Sequence, residues 1–271
     1  MEMRKQYQQF FGFEKDPFAA NISTKDIMQT PQLKAAENRF EYAANLGAVY
    51  LITGEIGSGK STTIRYLKSR LHPSEYKLLY VTATTGSIME LYRLIMAELG
   101  MRQNGTSRAL MVGTIKRQVL ELLQDKKKNT VLVVDEASLL RLEVFAELHT
   151  LCQFEMDCKP YLPLVLAGQS NLIDKLMYPG CMPLASRVVA KNHFVGTERD
   201  QMQAYLVHHL AIAGVKRMLF EEAAVTAIHQ GSGGIFRKAN HLARGSLVAA
   251  AMDNEKTVSA EHVRIAASEI F

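Results

Sequence analysis

The sequence predicts an α/β fold: a parallel sheet with helices on both faces, followed by a small all-helical domain. Three observations carry this. Short apolar runs alternate with helical patterns between residues 31 and 196, the arrangement that right-handed crossovers turn into a parallel sheet covered on both faces. A glycine-rich turn lies between the first apolar run and the helix after it. Beyond residue 197 the strand signal stops and four helical patterns follow.

Taken in order, residues 7–31 carry Phe10, Phe11, Gly12, Phe13, Pro17 and Phe18, a stretch too broken to be one long helix. Its aromatics are candidates either to flank an adenine base or to make plain core contacts. Leu33, Ala36, Phe40, Ala43 and Ala44 recur at helical spacing and lead into a strand beginning at Val49. Later strands are expected over 78–83, 131–135, 162–167 and 188–195. Helices are expected over 62–71, 88–99, 109–123, 143–154 and 171–177, with a loop over 100–105. In the tail the helices are expected over 197–213, 221–230, 235–252 and 259–270, with Thr197 and Ser259 as N-caps. The expected division is an aromatic collar over 1–30, a nucleotide-binding core over 31–196 and a helical lid over 197–271.

Gly54, Glu55, Ile56, Gly57, Ser58, Gly59, Lys60 and Ser61 fill the pattern of a phosphate-binding loop, and Thr62 continues it. Glycines let backbone N–H groups curl round a phosphate, and the next helix turns its positive end to the same anion. Lys60 is placed for the β- and γ-phosphates and Ser61 for Mg²⁺. The run Val131–Val134 empties into Asp135 and Glu136. Asp135 is expected to hold Mg²⁺ directly or through water, opposite the Ser61 hydroxyl, and Glu136 to orient the attacking water. At the tip of the strand over 162–167, Gln169 is the first choice, and Asn171 the second, for a polar contact to the γ-phosphate. Arg187 is a candidate finger reaching a neighbouring subunit's γ-phosphate, its rival role being a surface salt bridge. Arg237 is a candidate to reach over the nucleotide from the helical tail.

The 271 residues are 48% hydrophobic and 22% charged, and the mean hydropathy is -0.04. These values exclude a long disordered region. No apolar run approaches the roughly 20 residues that span a bilayer, so the chain reads as cytoplasmic, without a membrane partner. Cys152, Cys158 and Cys181 lack metal or disulfide spacing, and with His149 they read as buried or idle side chains. The net charge of +5 and pI near 9.0 suit an acidic partner such as nucleic acid. Lys126, Lys127 and Lys128 read as a solvated turn.

The order of these parts resembles an AAA+ ATPase, with Gly54 to Ser61 as Walker A, 131–136 as Walker B, Gln169 at sensor 1, Arg187 at the finger and Arg237 at sensor 2. More narrowly, Phe-Phe-Gly-Phe, Leu-Ile-Thr-Gly-Glu-Ile-Gly-Ser-Gly-Lys, Gln-Phe-Glu-Met-Asp, Leu-Ala-Gly-Gln and Gly-Ile-Phe-Arg-Lys-Ala-Asn resemble the ATPases related to general secretion pathway protein A (ExeA), whose relatives include the TniB, TnsC and MuB transposition ATPases. The chain departs from that pattern at Ser138, His149 and Phe236. The resemblance implies ATP and Mg²⁺ as cofactors, a homo-oligomeric ring or filament, non-specific binding to the backbone of duplex DNA, and a transposase partner. The alternative it implies is an accessory ATPase of secretion or envelope assembly. Secretion-type members are expected to continue into a membrane segment and a cell-wall-binding domain, whereas here the sequence stops at Phe271, which favours the DNA reading.

Overall fold

Five parallel strands, Tyr76–Thr82, Asn129–Asp135, Leu164–Gly168, Val49–Gly54 and Val188–Phe194 in that spatial order, form the sheet. In this computed structural model the described residues are 2–101 and 107–269. Residues 102–105 of the expected loop and Ile270 at the end of the expected last helix lie outside them. The strands are β1 (Val49–Gly54), β2 (Tyr76–Thr82), β3 (Asn129–Asp135), β4 (Leu164–Gly168) and β5 (Val188–Phe194). Every residue of β1 and β4, and all of β3 after Asn129, is buried. Their unbroken apolar runs have that reason: both faces of an inner parallel strand meet helices.

Contacts divide the chain into two units: Thr30–Gly54 with Lys60–Phe194, and Met1–Gln29 with Glu55–Gly59 and Val195–Phe271. The first, the sheet unit, carries α2 (Pro31–Leu46), α3 (Lys60–Arg70), α4 (Ile88–Glu98), α5 (Arg108–Gln124), α6 (Leu142–Leu151), α7 (Asn171–Leu176) and α8 (Met182–Ala185). Leu132, Val134, Leu164 and Leu166 of the sheet pack with Ile95, Ile115, Phe145 and Leu148 of the helices in one core. Helix α2 opens on Thr30, whose hydroxyl accepts the Leu33 N–H at 3.1 Å, and closes on Gly47 at φ 63, a backbone angle that favours glycine.

The second unit is helical, with an N-terminal helix Glu2–Phe11 and four tail helices, Arg199–Ile212, Glu222–Ser232, Phe236–Met252 and Ala260–Ser268, here α9 to α12. The first of them is α1. Phe11, Phe13 and Phe18 are buried in a core with Leu206, Leu210, Ile228 and Leu242, so of the two readings of these aromatics the packing one is realised. Ser259 caps α12 as expected, and its N–H is taken by His262 Nδ1 at 3.0 Å.

Two expectations are corrected. Thr197 does not cap α9: Glu198 does, because the Thr197 N–H donates to Gly234 O at 3.0 Å and its hydroxyl to Gln201 at 2.6 Å. The helix expected to reach residue 154 stops at Leu151. Three successive residues, Glu155, Met156 and Asp157, take φ of 47, 57 and 69, a left-handed run that cannot continue a helix.

His209 is buried on α9, donates from Nδ1 to Pro17 O at 2.6 Å and stacks on Phe18 at 5.5 Å. Burial first, and then His208, push its imidazolium down to about 4 from an ordinary 6.5, against the Pro17 bond and Asp16. The folded state therefore disfavours the proton that the unfolded chain accepts. Stability should be full above pH 6.5 and fall as the pH drops toward 4, by on the order of 3 kcal/mol. Urea unfolding at a series of pH values checks this. The slope should be shallower in His209→Asn, whose amide keeps a donor but does not titrate in that range.

Candidate functional site

The order of strands places β4 between β1 and β3. The carboxyl ends of these three strands carry Gly54, Gly168 and Asp135, and in open α/β sheets ligands bind outside those ends. Lys60 opens α3 and is buried, with its Nζ donating to Gly54 O at 2.9 Å. Ser61 follows, and its hydroxyl donates to Asp135 Oδ2 at 3.1 Å. Thr62 is the next residue of the same helix.

Asp135 is 3% exposed, and its carboxylate is held by donors. Oδ2 accepts from Ser61 and, at 2.7 Å, from the Tyr80 hydroxyl, while Oδ1 accepts the Glu136 N–H at 2.9 Å. Glu136 is half-buried at φ 53, ψ 32, a left-handed conformation that costs a non-glycine residue about 1 kcal/mol or more. The loop after it is pinned: Lys175 Nζ donates to Ser138 O at 2.6 Å and to Leu140 O at 2.7 Å. The Gln169 N–H donates to Ser138 Oγ at 3.3 Å. Gln169 thus stands at the tip of β4 tied to the loop of Glu136, while Asn171 begins α7.

Arg187 precedes β5 and is paired with the Asp157 carboxylate through two hydrogen bonds from Nη2. The bonds from Arg187 hold Asp157 below the usual carboxylate range. The pair is partly open, with side chains 22% and 44% exposed.

Glu55, Ile56, Gly57, Ser58 and Gly59 belong to the helical unit. There the Arg237 N–H donates to Gly57 O at 3.2 Å. Gly57 has φ +86, and a Cβ on it would lie 2.5 Å from the Cβ of Arg237, so no side chain fits. The Arg237 side chain is exposed.

The residues suit phosphate and metal. Ser58 Oγ is buried and has no partner among the described residues, as expected of a loop whose polar groups await a ligand. A hydroxyl and a carboxylate oxygen 3.1 Å apart are hard oxygen donors at the spacing of neighbouring ligands on Mg²⁺, whose bonds are about 2.1 Å.

Tyr80 is the residue that reading the sequence missed. It lies on β2, paired with Val133 in the register that sets Thr82 opposite Asp135. No local motif marks it, because its partner is 55 positions away.

Residues 45–176 match the AAA domain family. The matched stretch is 132 of the 271 residues. It holds Gly54 to Thr62, Asp135, Glu136 and Gln169, while Arg187 and Arg237 follow it in the chain. Over 266 residues the chain is 30% identical to general secretion pathway protein A of Aeromonas hydrophila, matching 97% of this chain and 48% of that protein. It therefore spans about half the length of that curated relative. In fold it is similar to Cdc6p from Pyrobaculum aerophilum, with TM-score 0.74 and 17% identity over 96% of this chain and 72% of that one. It is also similar to the Aeropyrum pernix ORC1 protein, solved in complex with DNA, with TM-score 0.68 and 18% identity over 95% of this chain and 70% of the other. Among the described residues no helix is long and apolar enough to cross a membrane.

Proposed function

We propose that the chain is an ATP-hydrolysing AAA+ regulator that oligomerises with ATP, binds duplex DNA through its backbone, and serves transposition by selecting targets and activating a transposase. The observation that carries the hydrolytic part is the pair at the end of β3: Asp135, clamped by donors, followed by Glu136 in a left-handed turn. The two carboxylates thereby take separate tasks. Residues 54–62 hold the phosphates, with Lys60 as the cation nearest the β- and γ-groups. Ser61 and Asp135 would hold Mg²⁺, which when bound neutralises phosphate charge. Glu136 orients and polarises the attacking water, and Gln169 contacts the γ-phosphate or that water. Arg187 serves a neighbouring subunit's nucleotide, and Arg237 reports its presence to the helices.

Support for DNA comes from the net charge of +5, the pI near 9.0 and the likeness in fold to a protein solved on DNA. No recognition helix is legible in the sequence, so a lone subunit offers a few phosphate contacts and binds in the non-specific range of roughly 10⁻⁴–10⁻⁶ M. Assembly with ATP sums those contacts along one duplex. A duplex-binding assay at two salt concentrations, with and without a non-hydrolysable ATP analogue, should show affinity that rises with the analogue, falls with salt and varies little with sequence. Lys60→Ala should lose the rise. A second reading, an accessory ATPase of secretion or envelope assembly, is favoured by the 30% identity to general secretion pathway protein A. Absence of salt-sensitive, analogue-dependent binding at micromolar protein would overturn the DNA reading and leave this one.

A further inference from the structure

We infer that Tyr80 is a positioning residue for the metal-side carboxylate: its hydroxyl holds Asp135 in the rotamer that Mg²⁺ binding at Ser61 and Asp135 requires. The inference rests on the nucleotide-site reading above and adds to it a residue outside every motif of that site. Its ground is the geometry of one oxygen atom. Asp135 Oδ2 takes the Tyr80 hydroxyl at 2.7 Å, its shortest bond, and the Ser61 hydroxyl at 3.1 Å. Both groups donate, so Oδ2 sits where two hydrogens converge from two different elements, β2 and α3.

The Ser61 bond alone cannot do this work. Ser61 is on the first turn of α3, and a serine hydroxyl rotates freely about its own bond. Tyr80 differs on both counts. Its ring is carried by a strand hydrogen-bonded along its whole length to β3, from Tyr76–Asn129 to Thr82–Asp135, and a phenol hydroxyl stands at the end of a rigid lever. A phenol ordinarily ionises only at about pH 10, so it remains a donor throughout the neutral range. With Tyr80 holding Oδ2, Ser61 can give its hydrogen to Asp135 and turn a lone pair toward a cation. Without Tyr80 the carboxylate keeps only the Ser61 hydroxyl and the Glu136 N–H as donors and loses its anchor to β2. Groups that orient a metal ligand in this way typically set metal affinity by about 10- to 100-fold.

The test is Mn²⁺ binding to the full-length chain loaded with ADP, followed by electron paramagnetic resonance, beside ADP affinity measured in chelator. Tyr80→Phe keeps the ring and removes the donor. It should weaken Mn²⁺ binding about 10-fold or more while leaving metal-free ADP affinity and the thermal midpoint near wild type. In an Asp135→Ala background, Tyr80→Phe should cost no further Mn²⁺ affinity, because the acceptor it holds is already gone; a merely structural tyrosine would cost the same in both backgrounds. Wild-type Mn²⁺ affinity in Tyr80→Phe, or equal losses in the two backgrounds, would overturn the assignment while leaving the nucleotide site intact. Failure of the wild-type chain to bind Mn²⁺ with ADP would overturn the nucleotide reading and this inference with it.

Discussion

Arg187→Ala is expected to lower ATP hydrolysis by about 10³-fold, the lower end of what an arginine finger contributes, with nucleotide affinity unchanged. In the single chain the guanidinium is engaged by Asp157. That pair is partly open to solvent, where an ion pair adds little to stability, so the loss should be of rate and not of fold. To serve a neighbouring subunit the guanidinium must leave Asp157 for a γ-phosphate, which costs little for an ion pair partly open to solvent. Asp157→Asn should therefore keep hydrolysis, whereas Arg187→Ala removes it. Mixing decides where the arginine acts. Arg187→Ala subunits blended with Glu136→Gln subunits should regain part of the activity, since some junctions then join an intact finger to an intact base. Turnover independent of protein concentration, by a chain that stays monomeric with ATP, would count against a shared site.

Glu136→Gln carries the second large effect. On the proposed assignment it removes the group that orients water and nothing that binds phosphate, so hydrolysis should fall about 10²- to 10⁴-fold while ATP binding persists. Lys60→Ala should instead lose binding, by about 10- to 100-fold in nucleotide affinity, the worth of a hydrogen bond to a charged group, and hydrolysis with it. Equilibrium binding of a fluorescent ATP analogue to both variants separates the two. The left-handed backbone at Glu136 adds a control. Glu136→Gly would relax that conformation while deleting the carboxylate, so it should be no less stable than Glu136→Gln and equally inactive.

The sheet was legible because burial on both faces writes itself as an apolar run: Val131 to Val134 and Leu164 to Ala167 are strands in sequence and in space. The glycine-rich loop and the acid pair stand out because their patterns are local, and the structure brings Ser61 to Asp135. What escaped is non-local or unmarked. The turn at Glu155, Met156 and Asp157 is left-handed without a single glycine, so the helix before it was expected to run on. Thr197 resembles an N-cap until the Gly233–Gly234 turn of the same unit takes its backbone. That β4 enters between β1 and β3, bringing Gln169 to the loop of Glu136, depends on pairing no stretch of sequence announces. Tyr80 is the same case in one residue.

Magnesium-dependent release of phosphate from ATP by the purified chain is what a site at Lys60, Ser61 and Asp135 most directly predicts. Wild type should release phosphate with Mg²⁺, stop when the metal is chelated, and release none above background with Lys60→Ala. Equal release by wild type and Lys60→Ala, or release indifferent to chelator, would contradict an ATPase site at Lys60, Ser61 and Asp135.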